Sequence, residues 1–144
     1  MIAIREAVAA DIDAVRRVDA SLNQRETPPE IVRSTASDGR LLIALDEDEP
    51  IGYVRWQYFW DDIPQCVLVR VMPSYQRRGA GRELYRALEE RLRASGHAFW
   101  ISSLEEDNER SRLFHEAFGF RRMGALEGLN DSGVREVFYR KGIA

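Results

Sequence analysis

Cysteine is almost absent from this sequence, and its scarcity excludes several kinds of site. Cys66 is the only cysteine among 144 residues, which excludes an internal disulfide and a cysteine-based zinc cluster. Because it stands in the run "PQCVLVRV", we expect a buried thiol in a strand rather than a reactive one.

Long hydrophobic runs are also absent. No window approaches the roughly 20 consecutive apolar residues that a membrane-spanning helix needs. The first ten residues, "MIAIREAVAA", carry charges within their first six positions, which is unlike a signal peptide. We therefore expect a cytoplasmic protein with no membrane partner.

Lysine is missing up to Lys141, so nearly all the cations are arginines. A G-x-x-x-x-G-K-[ST] loop cannot exist, which excludes an ATPase of the Walker type. Charge is unevenly spread: from Arg70 to Arg93, seven arginines accompany three glutamates, a local balance of +4 in a chain of net charge −3. A basic island on an acidic body favours one localised anionic ligand and argues against nucleic acid as a partner.

The residues that are present predict one compact α/β domain spanning residues 1–144. The hydrophobic fraction is 44%, and the spacing of apolar residues gives the order β-α-α-β-β-β-α-β-α-β, with one more short strand near 121–126. Asp11 is the expected N-cap of the first helix, and the second opens at Pro28 or Pro29. The third and fourth helices are expected at about 81–95 and 108–117.

Residues 66–88, "CVLVRVMPSYQRRGAGRELYRAL", combine a strand, a glycine-rich turn and a helix. A helix start leaves N–H groups unpaired, its dipole adds partial positive charge, and glycines let a ligand approach the backbone. The segment predicts a cradle for a phosphate group, and the alternative is a turn with solvated arginines. A dinucleotide fingerprint would need a third glycine where Leu84 stands.

Two motifs resemble the GNAT superfamily of N-acetyltransferases. The string "QRRGAG" at 76–81 matches its [QR]-x-x-G-x-[GA] loop, preceded at the family's spacing by a V-x-V-x-P strand end. The string "NERSRLFHEAFGF" at 108–120 resembles its N-x-x-[AS]-x-x-[LF]-[YH]-x-x-x-G-F block. The first and last segments of the chain also resemble those of the family. The resemblance therefore spans essentially the whole chain, which is identified as a member of the superfamily.

The resemblance implies a fold and a co-substrate. The fold is a mixed, mostly antiparallel sheet of six to seven strands, splayed between the fourth and fifth and flanked by about four helices. The co-substrate is acetyl-CoA, with no metal: its pyrophosphate lies on the loop N–H groups, and its pantetheine arm bonds the strand before the loop. The implied cofactor-binding residues are Val69, Arg70, Val71, Gln76, Arg77, Arg78, Gly79, Ala80, Gly81, Arg82 and Asn108. A backbone N–H near Val71 would polarise the thioester carbonyl.

His115 is the candidate catalytic residue. Many family members have a tyrosine here that protonates the departing thiolate, and an imidazole could do the same. The alternative is a packed histidine without a catalytic part. The form N-x-x-S-x-x-F-H resembles the phosphinothricin-type subgroup, although that group's K-x-G-x-W-x-D signature is missing. We therefore do not transfer its substrate. Asn108 is also a candidate helix N-cap.

The base that deprotonates the amine is not identified by the sequence. Histone-type relatives use a glutamate on the strand before the loop, and Gln65 stands near that position but cannot serve as a base. Asp61, Asp62 and Glu105 are candidates, as is a chain of water molecules, and each carboxylate could equally be a solvated surface charge. No enzyme nucleophile is expected, so the amine attacks the thioester directly.

The acceptor side is the least defined part of the sequence. Alternation puts Trp56, Tyr58 and Trp60 on one strand face, which indicates either core packing or an aromatic wall by the acceptor. The leading hypothesis is N-acetylation of a small-molecule amine. The alternatives are acetylation of a protein or peptide, and an acyl-CoA-binding module without catalysis. Many relatives form homodimers, so a homodimer stays an open expectation.

Overall fold

The computed structural model describes residues 1–144 and consists of seven strands and four α-helices. The strands are β1 (Ile2–Glu6), β2 (Leu41–Asp46), β3 (Glu49–Phe59), β4 (Ile63–Val71), β5 (Phe99–Glu105), β6 (Arg121–Leu126) and β7 (Glu136–Gly142). The helices are α1 (Ile12–Ser21), α2 (Pro29–Ser37), α3 (Ala80–Ala94) and α4 (Glu109–Phe118). The predicted element order is confirmed, including the additional short strand, which is β6. None of these helices is long and apolar enough to cross a membrane.

The strands form one sheet in the order β1-β2-β3-β4-β5-β7-β6. The pairs β1–β2, β2–β3, β5–β7 and β6–β7 are antiparallel. The pair β4–β5 is parallel, with Gln65 opposite Ile101. The expected mixed, mostly antiparallel sheet is therefore confirmed, and its parallel pair falls between the fourth and fifth strands.

The chain divides into two compact units, and the first comprises residues 1–57 and 67–91. Its core cluster includes Val15 and Val18 on α1, Val32 on α2, and Leu41 and Ile43 on β2. The α1 positions recur at helical spacing, which is why one face of the helix is apolar and buried. Thr35, two residues before the end of α2, is also buried and donates to Ile31 O at 2.6 Å.

Asp11 lies at the N-cap of α1, as predicted, but its side chain does not cap that helix. Its Oδ2 accepts from the Val8 N–H at 2.7 Å, closing the short 3₁₀ turn Ala9–Asp11 that precedes α1. Both carboxylate oxygens also accept from the Arg5 guanidinium, at 2.8 and 2.9 Å. The hydrogen bond from Arg5 holds the pKa of Asp11 below its usual value. The strand-to-helix turn is therefore fixed by an ion pair, which the capping prediction did not include.

The second unit comprises residues 58–66 and 92–144. Here β7 pairs with β5 along seven residues, from Phe99 opposite Gly142 to Glu105 opposite Glu136. Helix α4 ends at Gly119, whose φ of +104° is the left-handed conformation that glycine adopts most easily. Trp100 and Phe120 are buried and pack edge-to-face at 5.0 Å between ring centroids. Cys66 is buried, as expected.

The prediction that Trp56, Tyr58 and Trp60 share one strand face is wrong for Trp60. Strand β3 ends at Phe59, and both Trp60 and Asp61 have positive φ, at +51° and +69°. These two residues therefore form the turn of the hairpin, and the alternation stops before Trp60. Trp56 is buried, whereas Trp60 is 77% exposed and stacks on Phe59 at 4.7 Å.

Candidate functional site

The glycine-rich loop joins the end of β4 to the start of α3. After Val71 the chain makes a 3₁₀ turn at Pro73–Tyr75 and enters α3 at Ala80. Two residues just before the helix are left-handed: Arg77 at φ +64° and Gly79 at φ +85°. This conformation is strained for arginine and natural for glycine. Residues 72–79 thus connect the end of β4 to the start of α3.

The start of α3 presents backbone donors to open space. The first hydrogen bond into the helix runs from the Glu83 N–H to Gly79 O at 2.9 Å, so the N–H groups of the preceding residues lie ahead of the helical ladder. A Cβ built on Gly79 would meet no heavy atom within 4 Å. The residues present therefore fit the cradle that a pyrophosphate needs, with N–H donors at the positive end of a 15-residue helix.

The side chains of the loop add charge and hold its shape. Arg77, Arg78 and Arg82 are exposed, and the Arg78 guanidinium carbon lies 5.3 Å from the centre of the Tyr75 ring. Gln76 acts differently: its Nε2 donates to Val71 O at 3.0 Å. This bond ties the loop back to the end of β4, so the side chain of Gln76 contributes to the site by positioning the loop.

Gly52 is a part of this region that the sequence analysis missed. A Cβ at position 52 would lie 2.6 Å from Arg70 O and 3.2 Å from the Val71 Cα. A separation of 2.6 Å is too short for real atoms, so only glycine lets β3 lie this close to the end of β4. One residue along, the Met72 N–H donates to Ile51 O at 2.8 Å. The close approach of β3 to the backbone of Arg70 and Val71 therefore depends on a glycine at position 52.

The side chain of Arg70 belongs to a buried network around Asp19, which we call the Asp19 network. Asp19 Oδ1 accepts from the Tyr53 hydroxyl at 2.6 Å and from Arg70 Nη1 at 2.8 Å, while its Oδ2 accepts from the Thr27 N–H at 2.8 Å. The Asp19 side chain is fully buried. Burial, together with the bond to Asp19, raises the pKa of Tyr53 to about 12. Arg70 Nη1 also donates to Arg25 O at 3.1 Å.

The Asp19 network gives the Arg70 side chain a structural role within a strand segment whose backbone has a different predicted role. The backbone of Val69, Arg70 and Val71 is the predicted pantetheine-binding segment, and the Arg70 side chain fixes the segment after α1 that contains Arg25 and Thr27. A signal for it existed in the sequence, since an arginine inside the apolar run "VLVRV" needs a partner if it is buried. The sequence could not say which carboxylate supplies that partner.

Asn108 and His115 lie on or beside α4, in the second unit. The Asn108 side chain caps the helix, because its Oδ1 accepts from the Ser111 N–H at 3.1 Å. The predicted N-cap role is therefore confirmed. The structure thus groups the residues from 69 to 82 in the first unit and these two in the second.

His115 is buried and hydrogen-bonded at both ring nitrogens. Nδ1 lies 2.8 Å from Ser111 O, and since a carbonyl oxygen can only accept, Nδ1 carries the proton. Nε2 is then the acceptor for the Ser102 hydroxyl at 2.8 Å. The ring also packs edge-to-face with Phe114 and Phe120. Burial lowers the pKa of His115 below its ordinary value, partly offset by the bond to Ser111, so the imidazole is neutral at neutral pH.

The carboxylates considered as bases are all at the surface. Asp61 and Asp62 lie in the turn after β3, and Glu105 ends β5 exposed to solvent. No group of three or more His, Cys, Asp or Glu side chains is arranged to hold a metal ion. The other histidine, His97, contacts the Tyr58 hydroxyl through Nε2 at 3.2 Å. The geometry therefore combines a glycine-containing turn at a helix start, a strand end that packs closely against Gly52, and several exposed carboxylates.

The sequence matches the model of the acetyltransferase (GNAT) family over residues 10–120. Among curated proteins, none matches it.

Similar solved structures include a GNAT-family acetyltransferase from Bacillus cereus ATCC 10987, at 24% identity and a TM-score of 0.85, covering 100% of this chain and 99% of that one. The Escherichia coli ribosomal-protein-S18-alanine N-acetyltransferase has 18% identity and a TM-score of 0.84, covering 100% and 95%. The Salmonella typhimurium protein yncA, solved with its cofactor acetyl-CoA, has 19% identity and a TM-score of 0.85, covering 100% and 95%. At these identities the likeness establishes the fold.

Proposed function

Since the chain belongs to the acetyltransferase (GNAT) family, we propose that it is an acetyl-CoA-dependent N-acetyltransferase acting on the primary amine of a small molecule. The acetyltransferase domain spans residues 1–144, works in the cytoplasm and uses no metal. A homodimer is part of the proposal, because many family members form one, and sedimentation of the purified protein tests it. One observation carries the proposal: the loop at 76–82 opens a long helix with backbone donors, exposed arginines and open space at Gly79.

The loop and the strand before it bind and orient acetyl-CoA. Donors at the start of α3, with Arg77, Arg78 and Arg82, hold the pyrophosphate, and the backbone of 69–71 holds the pantetheine. Gln76 and Gly52 keep the loop and strand in register through their contacts with Val71. Asn108 would contact the pantetheine while capping α4. The N–H of Val71 would polarise the thioester carbonyl as negative charge develops on its oxygen.

The reaction is direct transfer. The amine must first lose a proton, because a free alkylamine has a pKa near 10. Its lone pair then attacks the thioester carbon, the carbon–sulfur bond breaks, and the thiolate leaves and takes up a proton. Gln65 cannot accept the amine proton, so the proton passes to water or to a surface carboxylate such as Asp61, Asp62 or Glu105. Binding and orientation supply much of the rate.

His115 as proton donor to the thiolate stays a prediction, and its hydrogen bonds sharpen the test. With its proton on Nδ1 and directed at Ser111 O, the ring would reach a substrate only through the Ser102 hydroxyl. We expect His115→Ala to lower kcat by about 100-fold while changing KM for acetyl-CoA much less. His97→Ala is the matched control in steady-state assays. An unchanged kcat in a folded variant would return His115 to a packing role.

A second candidate function is acetylation of a peptide or protein. Similar solved structures include the NatC complex bound to a Gag peptide and CoA, and the NatB complex bound to CoA. The small-molecule reading is supported instead by the N-x-x-S-x-x-F-H form shared with the phosphinothricin-type subgroup. Release of CoA thiol across amines, amino acids, polyamines, aminoglycosides and short peptides separates the two. Release with peptides but with no free amine would establish the second function.

The experiment that tests the site compares Gly79→Val with Gly96→Val. Both glycines have left-handed φ, +85° and +89°, and neither would bring a new Cβ within 4 Å of another atom. The backbone strain is therefore matched, and only Gly79 lies in the loop. We expect Gly79→Val to weaken acetyl-CoA binding by at least about tenfold, measured by calorimetry, and Gly96→Val to bind normally. Equal affinity in both variants would remove the loop from the proposed function.

A further inference from the structure

The second unit contains a concave basic site where β6 begins and β7 ends, separate from the loop at 76–82. It is a cavity of about 290 Å³ whose lining residues include four basic ones and no acidic one. The four are Arg121, Arg122, Arg140 and Lys141. None of them belongs to the loop, the strand or the helix that the proposed function uses. We call this group the β6–β7 basic cavity.

Two of these cations face each other directly across the sheet. Arg121 on β6 is the register partner of Arg140 on β7, and directly opposite side chains on antiparallel strands have their Cβ atoms only about 5 Å apart. Like charges in this arrangement destabilise a sheet. Neither arginine has an ion pair with a carboxylate, although other surface arginines of the chain do, such as Arg112 and Arg135.

Two carboxylates of the same unit are engaged by other partners. The pKa of Glu106 is lowered chiefly by the hydrogen bonds from Arg135, at 2.7 and 2.9 Å. The charge of Arg122 lowers it further to a smaller extent. Glu136, in β7, accepts from Ser103 at 2.6 Å and from Asn130 at 3.0 Å. Neither carboxylate therefore forms an ion pair with Arg121 or Arg140.

Aromatic faces hold two of the cations in place. The Arg140 guanidinium carbon lies 4.1 Å from the centre of the Phe99 ring, and Lys141 Nζ lies 4.2 Å from that of Phe118. A guanidinium that stacks on a ring keeps its N–H groups in their own plane, where they can bind an oxyanion. Gly119 makes room for the lysine, since a Cβ there would lie 3.1 Å from Lys141 Cε. An aromatic ring thus helps to position each of these two cations.

We propose that the β6–β7 basic cavity binds a phosphate group, either as inorganic phosphate or as a small phosphate monoester. A doubly charged oxyanion between Arg121 and Arg140 accepts paired hydrogen bonds from both guanidinium groups and removes their mutual repulsion. Arg122 and Lys141 are the next residues along their strands, so alternation directs their side chains to the opposite face of the sheet, and they contribute only long-range positive charge. The cavity is larger than a phosphate ion, and Met123 in its lining offers an apolar contact to the organic part of a monoester.

The test is a phosphate titration of the isotope-labelled protein, followed by amide NMR shifts at low salt and mildly alkaline pH. We expect saturable shifts in residues 119–123 and 140–142, with a Kd on the order of a millimolar. Shifts of the amides at 77–82 would report phosphate binding at the glycine-rich loop, which is a separate event in the same spectra. A parallel titration with methyl phosphate distinguishes the two sources: the tighter ligand of the pair identifies the natural class, and both fit the proposed site.

The decisive variant is Arg121→Gln/Arg140→Gln. It should weaken phosphate binding at the cavity by at least about tenfold while leaving the loop shifts unchanged. Its matched control is Arg17→Gln/Arg33→Gln, which removes the same charge from two exposed helical positions and should bind as the parent does. The spectra themselves report that each variant is folded. Absence of saturable shifts at the cavity in the parent, or equal loss in both double variants, would overturn the proposal.

Discussion

The molecule contains two buried polar networks, one in each unit. Each keeps a buried polar side chain hydrogen-bonded, but the central side chain is charged in one network and neutral in the other. The Asp19 network buries an ion pair, in which a carboxylate accepts from a guanidinium, a phenol and a backbone N–H. The network around His115 buries a neutral ring, which accepts from the Ser102 hydroxyl and donates to Ser111 O. Both rely on bonds at every polar edge of the central side chain.

The difference lies in what each network loses when it is disturbed. In the first, removal of one partner leaves a charge buried, which costs several kcal/mol. In the second, protonation of the imidazole is the destabilising event, because burial disfavours the charged ring. The Asp19 network should therefore respond mainly to substitution, and the His115 network mainly to pH.

The largest expected effect comes from Asp19→Ala. The change leaves Arg70, Tyr53 and Thr27 without their common acceptor, and we expect a loss of about 3–5 kcal/mol in the free energy of unfolding. Urea denaturation measures it. Asp13→Ala, which removes an exposed carboxylate from the same helix, is the control and should cost less than about 1 kcal/mol. Similar losses in the two variants would mean that the Asp19 network contributes little.

A smaller loss is expected from Tyr53→Phe. The variant keeps the ring and removes only the hydroxyl that donates to Asp19 at 2.6 Å. Because the acceptor is charged, about 1.5–3 kcal/mol should be lost in the same denaturation assay. Tyr58→Phe, whose hydroxyl meets His97 near the surface, serves as the comparison. A loss in Tyr53→Phe no greater than in Tyr58→Phe would remove the phenol from the network.

The pH dependence of stability tests the neutral network and should be the smallest effect. The pKa of His115 is lower in the folded protein than its ordinary 6.5, so the unfolded chain binds the proton more readily. The His115 contribution is therefore complete above the unfolded pKa and is lost as pH falls below it, by at most about 1.4 kcal/mol per pH unit.

Unfolding measured at several pH values below neutrality provides the test. His115→Gln should flatten the slope, while His97→Gln should keep it, because His115 is still present. A slope that survives in His115→Gln would assign the pH response to other groups. The pair of histidine variants thus separates the network from the general acid response of the protein.

Much of the fold could be predicted because its signals are local. The additional short strand predicted near 121–126 is β6, and α2 begins at the predicted prolines, with Pro28 at its N-cap and Pro29 as its first residue. The loop at 76–82 could be predicted because glycine, arginine and a helix start are contiguous there and match a family motif. Asn108 could be predicted as a cap because it directly precedes its helix.

What could not be predicted depends on residues that are far apart in the chain. Asp19 and Arg70 are separated by 51 positions, and Gly52 matters only because β3 passes the end of β4. Trp60 was misassigned because alternation cannot show where a strand ends when the turn residues are neither glycine nor asparagine. The burial of His115 likewise depends on Ser102 and on aromatic rings from other elements.

The solitary lysine has a practical consequence for anyone who wishes to label the protein. Lys141 is the only side-chain amine in the chain, and its ammonium rests against the Phe118 ring at the edge of the β6–β7 basic cavity. Besides the exposed N-terminal amine, an amine-reactive ester would therefore find only one side chain to attach to. A label on that side chain would stand beside the cavity without any engineered cysteine.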